Sequence, residues 1–136
     1  MKISALVFLT CLSVSTFATA KPVLKCAVPS EDAKKVTVVV DVGNDISVDF
    51  IRLTLVEGEK TIGYFSQIEK GEFSSQMSAG VMGLLLVSET SRQENGVVRN
   101  AGFIGIRKEG NKLNGFISVQ SNVYPLECTA VNGTEI

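Results

Sequence analysis

The sequence has no histidine and no tryptophan, and only two tyrosines and three cysteines. Without histidine there is no imidazole base, so Ser-His and Cys-His nucleophile pairs are excluded. The same absence leaves a zinc site short of donors, because the remaining cysteines are too few to complete one. GxSxG, SxxK and GxxxxGK[ST] are all missing, which removes the best-known hydrolase and phosphate-binding signatures. Excess positive charge is also lacking. The chain holds 13 basic and 14 acidic residues; the first twenty carry one lysine and no acid, so the remainder is acidic by two. Such a balance gives no electrostatic case for binding nucleic acid or anionic lipid. The composition implies no cofactor, and the expectation is that the protein is not an enzyme.

A long hydrophobic run occurs only at the start. Lys2 supplies a positive end, Ile3 to Val14 is apolar, and Ala18-Thr19-Ala20 is a small-residue cleavage site. Residues 1–20 therefore read as a secretory signal peptide, with Lys21 as the first residue of the exported chain. The run is too short to span a bilayer, which takes about 20 apolar residues. The mature form is expected to be periplasmic or secreted, with no transmembrane segment. Residues 21–136 make up a single domain.

Cysteine usage agrees with export. Cys11 leaves with the signal peptide, and Cys26 and Cys128 remain near the two ends of the mature chain. In an oxidising compartment an even pair reads as one disulfide. Their Cα atoms should lie about 5–6 Å apart. Closing a loop of ~100 residues is worth about 4.7 kcal/mol in the chain-entropy model.

The body of the chain is a succession of short β-branched and aromatic runs: Val23–Val28, Val36–Val42, Ile46–Val56, Thr61–Ile68, Val81–Ser88, Val97–Arg107, Leu113–Gln120 and Val123–Val131. Between them lie Gly43-Asn44-Asp45, Glu57-Gly58-Glu59, Lys70-Gly71, Asn95-Gly96 and Glu109-Gly110-Asn111, which read as hairpin turns. The pattern predicts an all-β fold: a small antiparallel up-and-down barrel of about eight strands, closed by the disulfide between the first and last. A β-sandwich is the alternative. Ser30–Lys34 could form one helical turn, and Glu72–Met77 reads as a short extra strand. In the third run, Ile46, Val48 and Phe50 share one face and Ile51, Leu53 and Leu55 the other. A β-bulge near Phe50-Ile51 would turn both triplets inward, and with it Arg52 outward. Gly63, Gly83, Gly102, Gly105 and Gly115 suit tight corners, or leave room for Phe103 or Phe116.

Candidate interior residues are Val38, Val40, Leu84, Leu86, Ile104, Ile106, Ile117 and Val119. They are aliphatic and of medium size, which favours a filled barrel over a hollow one. Asp41, Asp45 and Asp49 do not match the spacing of a calcium loop and read as turn residues. Two polar stretches stand out as loops. Ser74–Gly80 would carry Met77 as an exposed tip. Ser88–Gly96 holds Arg92, Gln93, Glu94 and Asn95, and the forked guanidinium of Arg92 suits an interface anchor. In size, export and β content the chain resembles bacterial lysozyme inhibitors of the membrane-bound or C-type kind. Their SGxxY loop is absent here, so none of their residues carries over.

Two functions fit these observations. The first is a non-catalytic binding module, an inhibitor being one form of it, that grips another exported protein or macromolecule through its loops as a monomer. The alternative is a carrier of a small apolar ligand in the barrel mouth.

Overall fold

The computed structural model describes residues 20–29, 36–88 and 102–131. Strands β1 (Lys21–Ala27), β2 (Val36–Asn44), β3 (Val48–Glu57) and β4 (Lys60–Glu69) precede a short helix, α1 (Glu72–Ser78). Then follow β5 (Val81–Ser88), β6 (Gly102–Glu109), β7 (Lys112–Val119) and β8 (Asn122–Ala130). Each strand pairs antiparallel with the next, and β8 returns to β1, so the sheet is a closed barrel and not a sandwich. Residues 1–19 of the expected signal peptide, Ser30–Lys34 and the 97–101 part of the sixth predicted strand lie outside the described residues.

Closure follows from pairing and chemistry together. Leu24 to Ala27 pair with Ala130 to Glu127, and Cys26 lies directly opposite Cys128. The two cysteines form a disulfide with their Cα atoms 4.0 Å apart. That is closer than the expected 5–6 Å. Val131 N–H donates to Val23 O at 3.0 Å on the same two strands. Hydrogen-bonded pairs alternate along an antiparallel ladder, so Cys26–Cys128 falls on a non-hydrogen-bonded pair, where strands approach to about 4.5 Å.

Alternation places Leu24, Val38, Val40, Ile51, Leu53, Leu55, Leu84, Leu86, Ile104, Ile106, Ile117, Val119 and Leu126 in the buried core. All the predicted interior residues are among them. The expected bulge in β3 is not there: its register with β2 and β4 runs unbroken from Val48 to Glu57. Asp49, Ile51, Leu53 and Leu55 are buried on the inner side, while Phe50 and Arg52 face outward. Ile46 is 98% exposed, held at a turn tip where Ser47 N–H donates to the Asp45 carboxylate at 3.0 Å. A register shift lies instead in β1, between Pro22 and Leu24. Proline cannot donate to a ladder, so its surroundings readily host such irregularities.

Glu72–Met77 is a helix, not a strand, and Met77 is buried, not an exposed tip. Phe73 and Met77 are four residues apart, so both fall on one helical face. That face packs into the core. The space for it arises because β4 and β5 pair only at Tyr64–Ser88 and Phe65–Val87. Below this point α1 spans the parted strands. Gln76 Oε1 accepts from Gly83 N–H at 2.9 Å, so a helix side chain meets a β5 backbone donor.

Asp49 fixes the start of the helix. Its carboxylate accepts from Gly71 N–H at 2.9 Å and from Phe73 N–H at 3.2 Å. Lys70 Nζ lies 3.5 Å from the other carboxylate oxygen. A strand residue more than twenty positions away thus satisfies amide donors that every helix start leaves open.

Candidate functional site

Three regions could carry function: the interior, a cleft over the closing seam, and the outer face of the second half of the sheet.

The interior is mostly aliphatic; among the described residues its buried polar side chains are Asp49 and Ser66 towards α1, and Ser88 with Tyr64 at the β4–β5 pair. Tyr64 and Ser88 face each other across that pair, both fully buried. Among the described residues the Tyr64 hydroxyl has no hydrogen-bond partner. Burial raises its pKa above the ordinary tyrosine value, and the nearby Tyr124 hydroxyl adds to the effect. Tyr124 reaches across the mouth from β8 to the end of β3, where its hydroxyl donates to Glu57 at 3.3 Å. Desolvation, then the Glu57 charge and hydrogen bond, raise the Tyr124 pKa as well. Both phenols are therefore neutral at physiological pH, and neither is poised to act as a base.

The three aspartates of the second hairpin do not converge. Asp49 is buried beneath α1, Asp41 pairs with Arg52 across β2–β3, and Asp45 accepts from Ser47. The Asp45 pKa is lowered, first by the Ser47 backbone bond and then by the Ser47 hydroxyl. Among the described residues no group of three or more acidic or cysteine side chains could hold a metal ion.

A half-open cleft of about 660 Å³ lies over the seam where β7, β8, β1 and β2 meet. Its outward-facing lining includes Lys25, Thr37, Val39, Asn114, Glu127 and Thr129. The volume is within the range of small-ligand sites, which begins at ~300 Å³.

The outer face of β5 to β8 is the most apolar exposed surface of the described barrel. Leu85 is 74% exposed, Val123 66% and Phe116 42%. Cross-strand pairing arranges this face in three rows. Leu85, Phe103, Ser118 and Val123 form the first. Gly83, Gly105, Phe116 and Pro125 form the second. Val81, Arg107, Asn114 and Glu127 form the third. The Phe103 and Phe116 rings lie 5.8 Å apart. A Cβ on Gly83 would touch the Phe103 ring at 3.4 Å, and one on Gly105 at 3.0 Å. The ring thus lies over both glycines, leaving no ridge between β5 and β7. Gly115 has a different reason: a Cβ there would overlap Gly105 O and the β6 backbone.

Phe50 and Phe65 also lie on the outside, stacked at 6.0 Å on β3 and β4. Only Phe73 among the phenylalanines of the described residues is buried. Composition could not reveal this inversion, but period-two alternation could. With Ile104, Ile106, Ile117, Leu84 and Leu86 inside, Phe103, Phe116 and Leu85 must point out. Arg92, Gln93, Glu94 and Asn95 lie outside the described residues. Their connection leaves β5 at Ser88 and rejoins β6 at Gly102, beside the first row of this face.

The fold and these surfaces define a disulfide-closed, eight-stranded up-and-down barrel with a helix across one seam. Comparison with family models, characterised proteins and solved structures finds no match.

Proposed function

We propose that the chain is an exported, non-catalytic binding module that recognises another macromolecule through its outer surface. The observation that carries this reading is the outward placement of four of the five phenylalanines of the described residues, Phe50, Phe65, Phe103 and Phe116. Aliphatic side chains occupy the interior, while Phe103, Phe116 and Leu85 form an apolar face on the exterior. Aromatic side chains supply much of the energy at protein interfaces, and contiguous exposed apolar patches mark interaction sites. Arg92, in the segment between β5 and β6, is the proposed anchor. The disulfide is compatible with an oxidising exported compartment. In this reading residues 1–20 are removed on export, to the periplasm or outside the cell. Intact-mass analysis of the exported protein should then show Lys21 first, and a mass that still includes Cys11 would overturn the localisation.

The binding reading is tested by capture from the exported fraction with wild type, Phe116→Ser and Arg92→Ala. Both variants should lose the partner. Equal capture by all three would place recognition elsewhere. The cleft of about 660 Å³ favours one second reading, a carrier of a small ligand. Native mass spectrometry that recovers a bound small apolar molecule and no macromolecule would reverse the order of the two.

A further inference from the structure

We infer that the partner of the outer β5–β8 face is a second copy of this chain, related by a two-fold axis parallel to β7. The inference rests on the reading of that face as a binding surface, and it departs from the monomer that the sequence led us to expect. In a two-fold interface the same patch serves both copies, so residue i faces residue j while j faces i. The face must therefore be complementary to itself under one rotation.

The third row decides which rotation. Arg107, Asn114 and Glu127 lie side by side on β6, β7 and β8. Opposite charges thus stand one strand to either side of β7, about 10 Å apart at ~4.8 Å per strand. An axis along β7 lays Arg107 over the partner's Glu127 and Glu127 over the partner's Arg107. An axis along β6 would set Arg107 against itself, and one along β8 would do the same to Glu127. An axis across the strands, through the second row, would lay Arg107 and Glu127 over the uncharged first row and leave both without an opposite charge. Only the β7 axis pairs both charges with their opposites.

The same rotation matches the apolar rows. Phe116 lies on the axis and meets its own copy, and the first-row position of Phe103 lies over the partner's Val123. Gly105, with the Phe103 ring lying above it, faces the partner's Pro125. The two upper rows carry no charged residue, which is the pattern of an interface core. Lys112, one step below Asn114, sits on the axis and faces its own copy. Glu109, directly opposite Lys112 on β6, supplies the counter-charge. Within one chain Arg107 Nε lies 3.9 Å from Glu109, and both side chains are well exposed, so this pair is easily exchanged for a better one.

Sedimentation of the oxidised exported protein from ~1 µM to ~1 mM, the span of weak association, tests the inference. Wild type should form a dimer as concentration rises. Arg107→Glu alone, or Glu127→Arg alone, places like charges at both contacts and should weaken the dimer about tenfold. Mixed in equal amounts, the two variants again have opposite charges at both contacts and should associate as tightly as wild type. A mixture no tighter than either variant alone overturns the inference. So does an oligomer that survives Phe116→Ser, or a wild-type monomer at every concentration. Where that monomer still captures a different exported protein through this face, the binding reading stands and only the choice of partner falls. Where it captures nothing, both fall.

Discussion

Replacing Tyr64 with phenylalanine removes one oxygen from the barrel interior and leaves the ring in place. Tyr64 is fully buried and its hydroxyl has no partner among the described residues. Folding therefore strips water from that hydroxyl without replacing the lost hydrogen bonds, at a cost of about 1–3 kcal/mol. The void left by the oxygen costs far less. At about 24 cal/mol per Å³, a space on the order of 10 Å³ costs ~0.2 kcal/mol. Tyr64→Phe should therefore stabilise the protein by about 1–2 kcal/mol, a rise of roughly 4–8 °C in Tm. The alkaline limb supplies a second measurement. The folded Tyr64 pKa lies above the unfolded value near 10. Its contribution is thus fully present below pH ~10 and is lost as pH rises from there through the folded pKa. Tyr64→Phe should flatten that loss. Urea unfolding of both proteins at neutral and alkaline pH measures the two effects. A less stable Tyr64→Phe at neutral pH would refute the reasoning, because it would mean that the hydroxyl has a partner, such as a buried water.

Cys26→Ser should cost about 2–5 kcal/mol, read as a lower urea midpoint that reducing agent does not lower further. Asp49→Ala leaves the Gly71 and Phe73 amides and Lys70 without their carboxylate. A loss of about 0.5–2 kcal/mol is expected, with faster amide exchange across α1 than across β2 or β7. Ser121 holds φ 65° beside Gln120 at φ 50° in the β7–β8 turn, a left-handed pair of residues that lacks glycine. Ser121→Gly should raise stability by about 1 kcal/mol in thermal unfolding, since the left-handed conformation costs a non-glycine residue about 1–2 kcal/mol.

The strands were legible because half-buried β-structure writes itself as alternation between turn residues. Val81–Ser88 matches β5 residue for residue. Gly58 and Gly110 sit at positive φ in the turns where their neighbours suggested hairpins. The helix was not legible, because Phe73 and Met77 are its only buried residues and two positions make no period. Its cap was hidden for another reason: Asp49 is local to a hairpin in the sequence, and only folding brings it beneath Gly71.

Local chemistry by itself determined the all-β class, the turns, the interior aliphatics and the pairing of Cys26 with Cys128. Each of these follows from residue type and short-range spacing, together with the even cysteine count of residues 21–136. Tertiary structure alone decided which side of β3 faces inward. Period two allows either Phe50 or Ile51 to be buried, and a one-residue choice turns every side chain to the other face. Unbroken pairing with both neighbours buried Ile51 and left Phe50 against Phe65 on the outside. Tertiary structure also decided that β4 and β5 part company below Phe65, because the buried Phe73 and Met77 of α1 fill the space between the two strands there.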